Sequence, residues 1–255
     1  MKVALKSSLI LLILSLSTTV FAQKTVNTYY FNANGDTVLT KAEADSWKIV
    51  QTNGKNRIAT EYDSSGVMRS ETYFRKDLSP SPPLGDSTWW TFGRFREWYP
   101  SGQLKVEGTH VVNHLHDTLK TYYLSGILRR KDVYFKDTLL LGECFAENSS
   151  KITYFPYKEQ PEFRGGLQGM FQYLSENIKY PPVAQSKEIE GTVYVGFVVS
   201  KTGNIEKIKV RRGVHTLLDA EAVRVVKAMP KWKAGKLDGE LVRVAYTLPV
   251  RFQLE

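Results

Sequence analysis

The sequence is poor in the residues that build metal and redox sites. Its 255 residues include one cysteine, Cys144, and four histidines. A single cysteine excludes a disulfide framework within the chain and a cysteine-rich zinc site. The chain also lacks a Gly-x-Ser-x-Gly elbow, a Walker phosphate-binding loop and a His-Glu-x-x-His motif. We therefore expect that the protein is not an enzyme and that it has no catalytic residue, no cofactor and no resident metal.

Two small features of the sequence bear on this expectation. His114 and His116 alternate on a predicted strand, with His110 and Asp117 nearby, and two imidazoles at this spacing can share a metal. Structural zinc usually needs four ligands, so a solvated hairpin face is the favoured interpretation. Cys144 follows an apolar run and has no neighbouring histidine in sequence, which predicts a buried and inert thiol.

Charge of one sign is in excess but diffuse. The chain has 35 Lys and Arg against 26 Asp and Glu, a net charge of +9, in an otherwise ordinary globular composition. The strongest basic run is Lys207, Lys209, Arg211 and Arg212. It lacks an aromatic platform, which argues against binding of single-stranded nucleic acid, and we expect no nucleic-acid partner. It is either a solvated strand face or a contact with an acidic partner, a lipid or peptidoglycan.

The N-terminus has the three-part pattern of a secretory signal peptide. Lys2 and Lys6 precede an uncharged run over 7–22 that ends in Val20-Phe21-Ala22. At ~1.5 Å per residue this run spans about 24 Å, short of a ~30 Å hydrocarbon core. We predict cleavage after residue 22 and a mature protein outside the cytoplasm. The alternative is an uncleaved membrane anchor.

The middle of the chain repeats one pattern, in which aromatic residues precede a tight turn that ends in glycine. The turn glycines are Gly35, Gly66, Gly102 and Gly126. Glycine permits a positive φ, and the Asn, Asp and Ser residues of these turns form local hydrogen bonds. Alternating runs follow, so residues 23–150 are predicted to form β-hairpins that stack to share a core.

The best copies are Trp98-Tyr99-Pro100-Ser101-Gly102-Gln103-Leu104 and Tyr122-Tyr123-Leu124-Ser125-Gly126-Ile127-Leu128. They resemble the MORN-type repeats of bacterial proteins, including the YwqK-like group. The resemblance implies an open, curled antiparallel sheet that serves as a scaffold or binding surface. Three prolines within 79–86 interrupt the repeats and predict an exposed loop.

The last hundred residues predict the order helix, strand, strand, helix, strand, after a linker at 151–160. The first helix covers 166–178, and its apolar face is Leu167, Met170, Phe171, Leu174 and Ile178. Asp219 is the predicted N-cap of the second helix. The predicted fold is α+β: the all-β repeats, then a domain over 161–255 with two helices on a three-stranded antiparallel sheet.

Several stretches of this domain carry a family resemblance. They are Pro161-Glu162-Phe163-Arg164-Gly165-Gly166, Glu190-Gly191-Thr192-Val193-Tyr194-Val195, Met229-Pro230-Lys231-Trp232-Lys233-Ala234-Gly235-Lys236 and Tyr246-Thr247-Leu248-Pro249-Val250-Arg251-Phe252. Residues 161–255 resemble the C-terminal domain of TonB in its Bacteroidetes form. The resemblance implies a periplasmic domain that grips the TonB-box peptide of an outer-membrane TonB-dependent receptor during energy-coupled transmembrane transport.

The last strand is the predicted site for that peptide. An open sheet edge offers unpaired N–H and C=O groups to an extended peptide. Pro249 has no N–H and is tolerated mainly on an edge strand. If it faces the open side, Ala245, Thr247 and Arg251 supply the outward donors. The predicted partner-binding residues are Arg243, Val244, Ala245, Tyr246, Thr247, Leu248, Pro249, Val250, Arg251 and Phe252, with the family's Tyr-Pro pair, Tyr180 and Pro181, which alternatively only caps the helix.

The chain also departs from the family. A TonB protein has an uncleaved membrane helix that meets the motor proteins ExbB and ExbD, and a proline-rich spacer. Here the apolar N-terminus is predicted to be cleaved, and repeats take the place of the spacer. Two hypotheses remain: a TonB-family transporter component, joined to ExbB and ExbD at the inner membrane if the anchor is retained, or a non-energising periplasmic scaffold that binds envelope proteins or peptidoglycan. The sequence specifies neither receptor, cargo nor oligomeric state.

Overall fold

The computed structural model describes residues 24–33, 35–76 and 89–254 and divides the chain into two units, with the boundary between Ile152 and Thr153. The predicted signal peptide at 1–22 and the proline-containing loop at 79–86 lie outside the described residues. The first unit is a large β-sheet and the second combines helices with strands, so the chain as a whole is α+β.

The first unit contains one eleven-stranded antiparallel sheet in the order β11-β10-β9-β8-β7-β6-β5-β4-β3-β1-β2. Consecutive strands pair with each other except β2 and β3, which both pair with β1 instead. This is the order expected for a chain of hairpins. The strands are β1 (Thr25–Phe31), β2 (Thr37–Val38), β3 (Ser46–Asn53), β4 (Asn56–Asp63), β5 (Met68–Lys76), β6 (Trp89–Trp98), β7 (Leu104–Val111), β8 (His114–Tyr122), β9 (Leu128–Phe135), β10 (Thr138–Phe145) and β11 (Lys151–Ile152).

The glycine-containing turns that the sequence predicts connect neighbouring strands of this sheet. Gly66, at φ +89°, connects β4 to β5, and Asp63 accepts hydrogen bonds from the backbone N–H of Ser65 and Val67 at 3.0 and 3.1 Å. Gly102 and Gly126 occupy the same place in the β6–β7 and β8–β9 turns, at φ +82° and +84°. Each turn therefore needs the backbone freedom that glycine provides.

One face of this sheet carries the buried side chains. Cross-strand pairs such as Phe95 with Gly108 place them in rows, and Gly108 leaves room for the Phe95 ring, which a Cβ would meet at 2.7 Å. The face also buries an ion pair, Arg130 to Asp132 at 2.8 Å, and Tyr134 donates to the same carboxylate oxygen. The buried apolar members are Ala59, Phe95, Val106, Leu119, Tyr134 and Cys144.

The second unit contains two small antiparallel sheets, in the orders β14-β13-β17 and β12-β15-β16. Its elements are β12 (Lys158–Glu159), α1 (Gly166–Asn177), α2 (Pro182–Ser186), β13 (Gly191–Val199), β14 (Ile205–Arg212), α3 (Thr216–Lys227), β15 (Lys236–Leu237), β16 (Glu240–Leu241) and β17 (Val244–Phe252). Its core joins side chains of all three helices to alternate residues of β13 and β17. Among the described residues, no helix combines the length and apolar character that a membrane crossing requires.

The apolar face expected for the first helix is partly wrong. Met170 and Leu174 are buried, but Leu167 and Phe171 are 64% and 60% exposed. Both pairs are four residues apart, so each forms a stripe, and the helix turns only the Met170 stripe toward the sheet. The helix also ends at Asn177, so Ile178 packs against the core from the segment that follows it.

The predicted cap of the later helix is also wrong. His215 occupies the N-cap position of α3, and its ring accepts the Leu217 N–H at 3.2 Å. Asp219 lies inside the first turn and accepts the Val214 N–H at 3.0 Å, which ties the helix to the preceding loop.

The residues predicted as a linker, 151–160, contain β11 in the first unit and β12 in the second.

Candidate functional site

The last strand lies at one edge of the main sheet of the second unit. β17 pairs with β13 from Gly191 opposite Phe252 to Val199 opposite Val244, without a register shift. In the sheet order β14-β13-β17, no strand of the described residues covers its other side. One side of β17 is therefore an open hydrogen-bonding ladder.

The direction of each backbone group on β17 follows from the hairpin before it. The Ser200 N–H donates to the Asn204 carbonyl at 2.8 Å, so Ser200 faces the β14 side. Backbone groups alternate along a strand, and β13 is unbroken, so its odd-numbered residues from Val193 to Val199 face β17. The residues of β17 opposite them face inward, and the alternate residues turn their backbone groups to the open edge: Ala245, Thr247, Pro249 and Arg251.

Pro249 is thus one of the four outward-facing residues. It interrupts the row of donors, which consists of the N–H groups of Ala245, Thr247 and Arg251. All four residues still offer a carbonyl. Placing a proline where no ladder hydrogen bond is lost explains how β17 tolerates it.

The side chains of β17 divide between the core and solvent. Leu248, Val250 and Phe252 are buried, and Tyr246 lies 5.1 Å from the Trp232 ring centre. The outward-facing residues have exposed side chains on the sheet face away from the helices. Arg243, predicted as part of the strand, precedes it, and its guanidinium donates to Glu206 at 2.6 Å. The accessible parts of β17 are therefore its open backbone edge and its exposed side chains.

Tyr180 lies at the end of the edge strand. Its ring meets Phe252 edge to face, and its hydroxyl donates to the Ile189 carbonyl at 2.7 Å. Desolvation and the nearby Glu190 carboxylate raise the pKa of Tyr180, so the phenol remains a donor. A surface groove begins beside it, lined by Tyr180, Gln185, Glu188, Glu190, Gln253 and Leu254.

Pro181 caps a different helix from the one that the sequence predicted. It is the N-cap of α2, and its carbonyl accepts the N–H groups of Ala184 and Gln185 at 2.9 and 3.0 Å. It therefore starts the second helix rather than capping the first. The Tyr-Pro pair joins the groove to this short helix.

Among the described residues, no cluster of three or more potential metal ligands occurs, and the histidines of the first unit make other contacts. The His114 Nδ1 lies 2.6 Å from Asp137 Oδ2. His110 stacks on Phe95 with ring centres 4.3 Å apart, and burial lowers the pKa of its imidazole. Cys144 is fully buried.

One family model matches part of the second unit. Residues 176–254 match the family described as Gram-negative bacterial TonB protein C-terminal. The match supports a TonB C-terminal domain. We call the matched region the TonB-like domain; it contains β13, β14, α3, β17 and Tyr180.

Two solved structures are similar to part of the chain, and both are solution NMR structures of the Helicobacter pylori TonB C-terminal domain. One is 26% identical and covers 35% of this chain and 80% of its own, with a TM-score of 0.28. The other is 25% identical and covers 34% and 91%, also with a TM-score of 0.28. None of the curated proteins matches the chain.

Proposed function

We propose that this is a cell-envelope protein whose TonB-like domain binds the TonB-box peptide of an outer-membrane TonB-dependent receptor and takes part in energy-coupled transport. The observation that carries the proposal is the open ladder of β17 within a domain of this family. Domains of the family generally interact with outer-membrane receptors, which supplies the class of partner.

The physical basis of binding is strand addition. A peptide laid along β17 receives the N–H groups of Ala245, Thr247 and Arg251 and donates to the outward carbonyls. Each such hydrogen bond contributes about 0.5–1.5 kcal/mol net, so a few of them and one or two side-chain contacts give useful affinity. The missing donor at Pro249 favours a register in which the peptide needs no partner there. The groove beside Tyr180 is available to residues at one end of the peptide.

Amide exchange measured by NMR tests this proposal. A synthetic peptide spanning the TonB box of a receptor is added to the isotope-labelled chain. We expect slowed exchange and shifted resonances for the amides of Ala245, Thr247 and Arg251. The amide of Lys209, on the opposite edge strand, serves as the control. Unchanged β17 amides at saturating peptide, or changes confined to β14, would contradict the proposal.

A second function is favoured by the first unit. Its eleven-stranded sheet stands where a TonB protein has a spacer, and the sequence predicts a cleaved N-terminus. We propose, as the alternative, a periplasmic adaptor that binds envelope proteins or peptidoglycan through the sheet and receptors through β17 without energising them. The intact mass of the protein in the envelope separates the two: loss of residues 1–22 supports the adaptor, and a retained N-terminus in the inner-membrane fraction supports a transducer that meets ExbB and ExbD.

A further inference from the structure

A group of cations lies on the side of the TonB-like domain that faces away from the helices. β13 buries Val193, Val195, Phe197 and Val199, so its alternate residues mark the opposite face. The register places Arg251 opposite Thr192, Arg212 opposite Tyr194 and Lys209 opposite Gly196. The Arg211 side chain lies over Gly196. A Cβ placed on Gly196 would come within 2.6 Å of the Arg211 Nε. We call Lys209, Arg211, Arg212 and Arg251 the cationic face.

In the part of the chain that the structure describes, no carboxylate is paired with these charges. All four side chains are exposed. Arg212 instead lies 5.9 Å from the ring centre of Tyr194. The acidic residue at the end of this face, Glu206, is already paired with Arg243 at 2.6 Å. The surface therefore carries an uncompensated positive charge that favours an anionic partner.

The shape of the face indicates which kind of anion it fits. Lys209 and Arg251 lie on the two outer strands, about 10 Å apart across the sheet. Their partners on β13 are four residues apart, about 13 Å along the strands. β13 is paired on both sides, so this face presents side chains and no open backbone. A planar array of this size is too wide for one carboxylate to contact all four cations. An extended peptide that adds to the sheet needs open backbone groups, and these lie at the sheet edge rather than on this face.

From this charge and shape, we propose that the cationic face binds the phosphate groups of an anionic lipid bilayer. Three of its four cations are arginines, whose planar guanidinium groups bind phosphate with paired hydrogen bonds. Tyr194, about one-third exposed among them, has the amphipathic character suited to a membrane–water boundary. The outward N–H groups of β17 lie in the plane of the sheet, so bilayer binding leaves the peptide edge accessible.

Vesicle co-sedimentation of the full chain tests the proposal. Phosphatidylcholine vesicles with and without phosphatidylglycerol are compared for the wild type and for R211Q/R212Q. An exposed cation near such a surface is worth about 1 kcal/mol, so we expect roughly 30-fold weaker binding of the double variant to the anionic vesicles. Binding of the wild type should also fall steeply with added salt. The matched control is K187Q/K227Q, which removes the same charge from exposed positions outside this face and should leave binding within about two-fold.

Three results would overturn the proposal. One is equal loss of vesicle binding in both double variants, which indicates net charge alone. Another is displacement by millimolar inorganic phosphate, which indicates a site for a single phosphate. The third is binding to polyglutamate but not to anionic vesicles, which indicates an acidic polypeptide as the partner. Unchanged peptide shifts at Thr247 in R211Q/R212Q would show that the variant is folded and that this surface is separate from the peptide site.

Discussion

The Tyr180 and Phe252 rings meet edge to face with centroids 5.8 Å apart, at the point where the edge strand ends. Phe252 is 2% exposed, and the Tyr180 hydroxyl reaches beyond it to the Ile189 carbonyl. The pair thus fastens the end of β17 to the segment that leads into β13. This ring contact and hydrogen bond help to hold the candidate peptide site at this end, together with the hydrogen bond that the Leu254 N–H donates to Glu190.

Two substitutions separate these contributions. Tyr180→Phe keeps the ring contact and loses the hydrogen bond, so we expect a small fall in the free energy of unfolding. Tyr180→Ala also removes the ring contact with Phe252, so we expect a larger fall. Chemical denaturation, followed by a signal from the second unit, measures the change in the free energy of unfolding for both variants. If Tyr180 instead contacts the peptide directly, Tyr180→Ala will weaken peptide binding far more than it weakens the fold.

A second prediction concerns two glycines with the same backbone angle. Gly203 and Gly102 have φ of +80° and +82°. A Cβ on Gly203 would lie 2.0 Å from the Trp232 carbonyl oxygen, whereas a Cβ on Gly102 meets nothing within 4 Å. Gly102→Ala should therefore cost only the strain of a left-handed backbone angle, about 1–2 kcal/mol. Gly203→Ala must also displace the Trp232 backbone and should cost at least ~3 kcal/mol.

Thermal unfolding followed by near-UV circular dichroism distinguishes the two glycine variants. We expect Gly203→Ala to lower the midpoint of the second unit and Gly102→Ala to shift the first unit slightly. Equal losses in the two variants would show that the strained backbone angle, rather than the Trp232 contact, sets the cost at both positions.

Sequence patterns predicted this architecture where they depended on backbone chemistry. The glycine turns, the alternating strands of the last hundred residues and the position of Pro249 in an outer strand each follow from a local rule. Pattern alone did not decide which of two apolar stripes on α1 faces the sheet, because Leu167–Phe171 and Met170–Leu174 have the same spacing. That choice depends on packing against distant strands.

The candidate site shows the same division. Alternation along β17 identified which backbone groups share a side, and Pro249 predicted that this strand lies at a sheet edge. The cationic face was visible as the run from Lys207 to Arg212. Its extension to Arg251 was not, because that residue is about forty positions away and joins the others only through the register of β13.

Glu221 gives a prediction for pH dependence. Burial opposes ionisation of this carboxyl, but hydrogen bonds from Arg224 and from the Lys179 N–H outweigh it and lower the pKa of Glu221. The unfolded chain keeps the ordinary value, about 4.3. The lowered pKa therefore stabilises the fold above that pH, and the contribution is lost as the pH falls through the folded-state pKa.

We expect Glu221→Gln to reduce the free energy of unfolding by about 1.5–3 kcal/mol at pH 7, since it removes hydrogen bonds to a charged group that is 10% exposed. The difference from wild type should begin to shrink as the pH falls below the ordinary value of about 4.3, and it should approach zero only below the lowered folded-state pKa, where the native carboxyl is protonated. Denaturant titrations across this range measure it. A difference that does not change with pH would show that shape, and not charge, is what Glu221 contributes.

The last prediction concerns Pro249, which lacks an N–H group at the open edge of β17. Pro249→Ala supplies a fourth outward N–H without disturbing the pairing of β17 with β13, because residue 249 faces away from β13. Thr247→Pro removes one of the three existing donors in the same orientation. If an extended peptide completes the ladder, each donor contributes about 0.5–1.5 kcal/mol, so the first variant should bind roughly two- to twelve-fold more tightly and the second more weakly by a similar factor.

Calorimetric titration with the same TonB-box peptide measures both affinities, and Arg251→Ala is the matched control, because it shortens an outward side chain while keeping its N–H. Backbone pairing predicts that Arg251→Ala changes affinity less than Thr247→Pro does. The reverse order would place recognition in the side chains of β17. An unchanged affinity in both proline variants, with the fold intact, would mean that the peptide binds elsewhere on the domain.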